Sequence, residues 1–333
     1  MRILINSVAS SSSGALGILQ EYYQRAVDDP RNDYSFLVST PELVQTSNVA
    51  VFRFPWVKRS WLHRLFFDWI AAPILVRHLH PDIVISLQNL KMHFVRVPQV
   101  VYEHNCIPPA FCEYRFRLFD EPVLWVRQNI LGRMIQNSLK GADRVIVQTN
   151  WMKKRCVEKL GIEPSRIDVE PPKLSLLPEG CYARTEPIEF MYPATQMAFK
   201  RHDLVLDAVE ILVAKGFGKR FKVAFTLTGD ESARVRSFRE RVESRGLPVE
   251  FVGWQARPDL YERYTHSVLL FASELESYPL PLIEATAVSS PIIAPDAEYA
   301  QEALKGYEEA RYFVSGDASS LATAMEALID AKK

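Results

Sequence analysis

The feature that most constrains this chain is a repeated alternation of short apolar runs and helical patterns through all 333 residues. In the first half, runs at 2–8, 34–39, 48–54, 82–87, 99–103 and 143–148 are separated by helical spacing at 16–23, 61–80 and 115–140. Runs this short and this continuously apolar read as strands covered on both faces, which calls for a parallel sheet with crossover helices. Pro171-Pro172, then Pro178, Gly180 and Pro187, interrupt the pattern, which restarts with runs at 188–193, 221–228, 249–254, 267–273 and 291–295. Helical patterns follow at 201–215, 232–245, 259–264 and 321–331. The expected architecture is α/β: two Rossmann-like domains, 1–171 and 172–333, facing across a cleft.

Ligands of such sheets gather beyond the carboxyl ends of the strands. The run 267–273 leads into Glu276-Ser277-Tyr278-Pro279-Leu280-Pro281-Leu282-Ile283-Glu284, and Ala285-Thr286-Ala287-Val288 continues an apolar helical pattern. Pro279 suits the first helical turn, where a missing N–H costs nothing. The junction predicts a helix N-terminus with free backbone N–H groups, a setting that favours phosphate. Glu276 falls in the loop and Glu284 just over one turn inside the helix. Carboxylates repel phosphate but accept hydrogen bonds from sugar hydroxyls, so the pair around an anion site points to a nucleotide sugar.

The segment ESYPLPLIEA at 276–285 resembles the Glu-x7-Glu motif of retaining GT-B glycosyltransferases of family 4, usually worded close to E-S/G-F-G-L-P-L-L-E-A. The resemblance covers nearly the whole chain, most specifically 190–295. It implies that Glu276 accepts from the donor sugar and Glu284 from the ribose, with Tyr278, Pro279 and Leu280 bringing backbone groups to sugar and phosphates. Lys200 fits one of the two cations that hold the donor pyrophosphate. Thr195 stands where the family has an arginine, and Arg201 is left open as its geometric substitute. Gly229-Asp230 and Gly253-Trp254 fall on loops that contact nucleotide and base; Trp254 lies near the base or belongs to the core. In the first half, Ser10-Ser11-Ser12-Ser13-Gly14 is a small-residue loop after the first strand, and the resemblance turns Gly14 and Ser13 toward the donor phosphates. His104, at the tip of the strand 99–103, looks like the histidine these enzymes carry near the donor sugar, where it positions groups, stabilises charge or handles the acceptor proton. The alternative is a structural histidine bonded to its own loop. The catalytic candidates are therefore His104, Lys200 and Glu276.

The implied reaction is retaining transfer from a UDP- or GDP-sugar to a glycan or lipid-linked glycan, in bacterial surface polysaccharide assembly. A sugar-nucleotide epimerase or phosphorylase of the same fold and a non-catalytic nucleotide-sugar binder are the competing readings. No Asp-x-Asp pair occurs in the sequence, so no metal and no cofactor are expected, and the leaving group's charge falls to Lys200 and helix N-termini.

A formal net charge of zero argues against a nucleic-acid partner. The halves differ: residues 1–170 hold 21 Lys/Arg and 16 Asp/Glu, leaving 19 and 24 of the 40 and 40 for the remainder, or +5 against −5. Two first-half segments, 53–69 and 114–133, mix aromatic with basic residues. They read either as core aromatics with arginines reaching outward or as an interfacial surface that docks on a membrane. The first residues lack a signal-peptide core, no run approaches the ~18–20 residues of a span, and Cys106, Cys112, Cys156 and Cys181 form no C-x-x-C pair. The expectation is a cytoplasmic chain, with peripheral contact at the inner face of the plasma membrane as a further expectation.

Overall fold

The computed structural model describes residues 1–10, 13–110, 122–174 and 176–331, with backbone alone at 13, 109 and 110. The chain divides into two compact units, Met1–Lys173 and Leu174–Lys333. Each is a parallel sheet with helices packed against it.

The first unit holds β1 (Arg2–Ser7), β2 (Asp33–Val38), β3 (Val49–Arg53), β4 (Ile83–Ser86), β5 (Gln99–Glu103), β6 (Arg144–Val147) and β7 (Ile167–Val169). Their spatial order is β3-β2-β1-β4-β5-β6-β7, and every pairing is parallel. Both faces are covered. Ile5, Phe36 and Tyr102 pack against Ile18, Leu19 and Tyr22 of the helix Ser13–Val27, while Leu4, Leu37 and Val84 pack on the other side with Phe67, Ala72 and Val76. This two-sided burial is what the unbroken apolar runs foreshadow.

The second unit holds β8 (Ile188–Tyr192), β9 (Phe221–Phe225), β10 (Val249–Phe251), β11 (Val268–Leu270), β12 (Ile292–Pro295) and β13 (Ala310–Phe313). Their order is β10-β9-β8-β11-β12-β13, again parallel throughout. In both sheets the order doubles back once, between β1 and β4 in the first and between β8 and β11 in the second. At that point the crossovers leave toward opposite edges, and the carboxyl ends of the two strands are where a ligand crevice is expected.

Some elements differ from the sequence reading. The pattern 61–80 is one helical stretch in three parts: Trp61–Phe66, a π-helical turn Phe67–Ala71, and Ala72–Leu79, closed by His80 in a left-handed conformation. The pattern 115–140 is described from Pro122 onward and carries a second π turn, Arg127–Leu131; residues 111–121 lie outside the described residues. The helix Asn150–Leu160 is capped by Thr149, whose hydroxyl accepts the Met152 N–H. Three short elements carry no sequence signal: β7, β13 and the helix Glu298–Ala303. Only Phe313 of β13 is buried, as suits an edge strand. Among the described residues, no helix is long and apolar enough to cross a membrane.

One buried charge ties the second sheet to its helices. Glu189 on β8 is nearly inaccessible and accepts from Arg263, on the helix Arg257–Tyr264, at 2.5 Å and from Lys222 on β9 at 2.8 Å. Burial alone would raise its pKa, but the two cations outweigh it and hold the carboxyl below its usual value. Replacing Glu189 by alanine strips the largely buried Arg263 of this partner and leaves Lys222 with Glu250 at 3.9 Å. The expected loss is about 3 kcal/mol of unfolding free energy in urea, the lower end for a broken buried pair because Lys222 reaches solvent. The sign with pH follows from the depressed pKa: the contribution is present above the unfolded carboxyl's pKa and fades as pH falls through the folded value. The wild-type advantage over Glu189→Ala should therefore shrink in acid.

Candidate functional site

The strand-order reversal in the second unit brings together residues 76 apart in sequence. After β8 the chain makes a short 3-10 turn, Ala198–Lys200, and Arg201 follows in a left-handed conformation before the helix His202–Ala214. After β11 the loop carries Glu274 and Glu276. The Glu274 N–H donates to the Phe199 carbonyl at 2.8 Å, which ties the two loops together. Across this junction the Lys200 ammonium donates to the Glu276 carboxylate, with both side chains about 15% exposed. Lys200 Nζ also lies 5.5 and 5.9 Å from the ring centroids of Phe199 and Phe271, so its charge sits on aromatic faces. Its backbone carbonyl accepts from the Tyr192 hydroxyl at the end of β8.

Arg201, left open as a second phosphate cation, is engaged by carboxylates here, as Lys200 is. Its guanidinium donates to Glu274 and to Asp203, which in turn receives Arg234 at 3.2 Å. Thr195 is exposed. His202, the first residue of the helix, is enclosed by the rings of Tyr192, Phe225 and Phe238. Burial first, then the nearby Lys200 and Arg234 charges, push its pKa down to about 3, so it is a neutral packing group behind the lysine.

The 276–284 stretch departs from expectation in a specific way. The helix is Leu280–Ala287, with Pro279 at the cap position and Pro281 within the first turn. Neither proline has an N–H. The Leu280 N–H donates to the Tyr278 carbonyl at 2.9 Å and the Leu282 N–H to the Pro279 carbonyl at 3.0 Å. The expected row of free donors is therefore absent from 279–282, and Pro279 and Leu280 offer a ligand no backbone N–H. Tyr278 is half-buried, and burial raises its pKa. Glu284 is buried at 5% exposure, with one carboxylate oxygen accepting the Tyr261 hydroxyl and the other the Tyr264 hydroxyl, each at 3.2 Å. It is held rigidly, with acceptor capacity left on each oxygen.

The next two strand ends repeat the theme. Gly229 follows β9 at φ +95°, a conformation that favours glycine. The N–H groups of Thr228 and Gly229 donate to the Glu231 carboxylate at 2.6 and 3.2 Å. These bonds outweigh burial and lower the Glu231 pKa. The backbone contact expected of Gly229 is thus already taken by the chain itself. Beyond β10, Trp254 is 82% exposed, which removes the core alternative and leaves a free aromatic face at a strand end.

The first unit has its own crevice at its own reversal. Beyond β1 and β4, Ala9, Ser10, Gln88 and Asn89 line a cavity of about 300 Å³ that also takes in His104, beyond β5. The Ala9 N–H donates to Gln88 Oε1 at 3.2 Å, closing the floor between the two strand ends. Asn89, in a left-handed conformation that asparagine tolerates, clamps His104. Its Oδ1 accepts the His104 N–H at 2.9 Å, which turns its Nδ2 toward the ring Nε2 at 3.4 Å. The ring Nδ1 is enclosed without a partner among the described residues, and burial lowers the pKa to about 4. His104 is thus bonded to the neighbouring strand's loop, not its own. Beneath it, Glu103 is fully buried; burial raises its pKa well above the usual value, against the lowering effect of the Asn105 N–H. Gly14 lies in the first turn of the helix Ser13–Val27 rather than in a loop, exposed, with nothing near its Cβ position. Ser11, Ser12 and the Ser13 side chain lie outside the described residues.

The structure thus groups Lys200, Glu276 and Glu284 with the 278–280 loop in one unit, and His104 with the loop beyond β1 in the other. Asn89, Glu274, Tyr261, Tyr264 and Glu231 escaped the sequence reading. Only Asn89 carried a signal, an amide just past the strand run 82–87.

Residues 29–172 match the family model described as Glycosyltransferase Family 4, and residues 190–331 match that described as Glycosyl transferases group 1. No curated protein matches the sequence significantly. Among solved structures, sucrose-phosphate synthase from Thermosynechococcus elongatus superposes with TM-score 0.70 at 16% identity, over 99% of this chain and 90% of that one. WaaG, a glycosyltransferase involved in lipopolysaccharide biosynthesis, gives 0.70 at 11% identity over 99% and 91%. Anabaena HepE in complex with UDP-glucose gives 0.65 at 15% identity over 99% and 90%. At these identities the structures speak for the fold, and the two family models, which between them span most of both units, identify the chain as a glycosyltransferase of the GT-B fold, belonging to family 4.

Proposed function

We propose that the chain transfers a sugar, with retention at the anomeric carbon, from a nucleotide-sugar donor to a glycan or lipid-linked glycan of a bacterial surface polysaccharide. A UDP-sugar is the first choice of donor, on the example of HepE, with a GDP-sugar second. The lipopolysaccharide role of WaaG supports the choice of acceptor class. The observation that carries the reading is the Lys200–Glu276 pair at the strand-order reversal of the second unit.

A donor brings a diphosphate and sugar hydroxyls together. The diphosphate takes the Lys200 ammonium, and the hydroxyls give Glu276 new donors in exchange for the lost partner. Glu284 accepts from the ribose with its remaining lone pairs, and Trp254 offers a face to the base. In the first unit, which takes the acceptor, the Asn89-clamped His104 is neutral and orients the acceptor hydroxyl. As the bond from the anomeric carbon to the leaving phosphate oxygen breaks, the acceptor oxygen bonds to the same face. Its proton passes to the departing phosphate. Lys200 stabilises the charge that develops there.

Lys200→Ala and Glu276→Ala should each cut turnover about 100-fold or more with a UDP-sugar, the scale of one lost charge-stabilising contact. Near-native rates in both would remove the site. With its pKa near 4, His104 stays neutral through the physiological range, so the pH–rate profile should be level down to about pH 5. An acid limb centred near the ordinary histidine value of about 6.5, abolished in His104→Gln, would contradict this. Turnover should also survive EDTA without gain from Mg²⁺ or Mn²⁺; restoration by either ion would refute metal independence.

A further inference from the structure

The first unit turns apolar side chains outward at helical spacing. Along 61–79, Leu62, Phe66, Trp69, Ile70 and Ile74 form one exposed stripe, with Leu62 at 76% and Ile74 at 58%. Over 122–140, Val123, Val126 and Ile130 do the same. With Trp61 and Phe94, these are ten of the 17 exposed large hydrophobic residues among the described residues, so the exposure is concentrated and not scattered.

The stripes belong to one surface. The loop 91–97 joins them: His93 stacks on Trp69 with centroids 4.8 Å apart, and the Lys91 N–H donates to Ser138 Oγ at 2.5 Å. The cavity that holds His104 is walled by Trp61 and Leu65 from the first stretch and by Leu131 and Met134 from the second. Each stretch is broken at mid-length by a π turn.

Charge decides what covers this surface. Residues 58–80, 91–97 and 122–140 hold four, two and three Lys/Arg respectively, against the single acidic residue Asp68, which Arg64 already pairs at 2.5 Å. Arg59, Arg77, Arg96, Arg127, Arg133 and Lys140 are exposed around the apolar stripes. A second copy placed on the face would oppose cation to cation. An anionic phospholipid surface accepts both parts, the rings and aliphatic chains at its acyl boundary and the arginines among its headgroups. We infer that this face docks the protein on an anionic bilayer, with the His104 cavity opening between the two docked helices. An acceptor hydroxyl anchored in the same bilayer then reaches the cavity without leaving the membrane.

Co-sedimentation of the full chain with vesicles, free of donor and acceptor, tests the docking independently of transfer activity. Wild type should sediment with phosphatidylglycerol-rich vesicles at low salt, be released at high salt, and ignore pure phosphatidylcholine. Leu62→Ser/Ile70→Ser/Ile74→Ser, which changes exposed side chains of the stripe, and Arg127→Glu/Arg133→Glu should each lower the partition about 10-fold or more with the thermal unfolding midpoint unchanged. Absence of wild-type binding to anionic vesicles, or binding that neither variant weakens, overturns the inference. So does a wild-type dimer in sedimentation velocity that the apolar variant converts to monomer, since a second copy would then be the occupant.

Discussion

The reversal of strand order in each sheet is the constraint on which the rest of the structure depends. Parallel strands with buried faces need long crossovers, and right-handed crossovers that start toward one edge cover one face. Where the chain changes direction, neighbouring strands release their loops to opposite sides. In the second unit those strands are β8 and β11, and the loops carry Lys200 and Glu276. In the first they are β1 and β4, and the loops carry Ala9 and Gln88-Asn89. Packing alone fixes both crevices, before any residue is chosen for chemistry.

Electrostatics then sets what the second crevice accepts. At rest its charges answer one another: Lys200 with Glu276, Arg201 with Glu274 and Asp203, Asp203 with Arg234. Backbone donors that an anion would seek are held by Glu231 or lost to Pro279 and Pro281. A bare phosphate must pull Lys200 from Glu276 and leave a largely buried carboxylate unpaired, a costly outcome. A sugar diphosphate supplies an anion to the lysine and hydroxyl donors to the glutamate in the same event. Under the proposed function, self-neutralisation at rest thus discriminates against free phosphate by leaving it only half of an exchange.

Much of this was legible in the sequence because it rests on short-range pattern. Eleven of the thirteen strands among the described residues arise from apolar runs, and most were locatable to within a residue or two. β7 and β13 were not, since each buries a single residue and runs on into polar, glycine- or proline-bearing sequence. The motif glutamates and Lys200 were legible by spacing within the 190–295 region, but their partners were not. Glu284 is held by tyrosines 20 and 23 residues away on a different helix, and Glu231 folds back onto a turn. The missing N–H of Pro279 was legible, but the local turn bonds that occupy the Leu280 and Leu282 N–H groups were not. His104 was found from its place at a strand tip; the Asn89 clamp needed the neighbouring strand.

The two units also solve the surface problem differently, and the difference follows from composition. The second unit, at −5 from residue 171 onward, exposes few large apolar groups, such as Trp254 and Tyr312, far apart in sequence. The first, at +5 through residue 170, clusters its cations and its exposed apolar side chains on the same helices. Neither feature serves the fold of that unit. An outward Leu62 or Ile74 buries nothing on folding, and like charges crowded on one face repel. Two costs placed on one surface, beside the cavity that holds His104, have a common explanation in a partner that is both anionic and apolar, and an anionic bilayer interface has both properties at the spacing of a helix face.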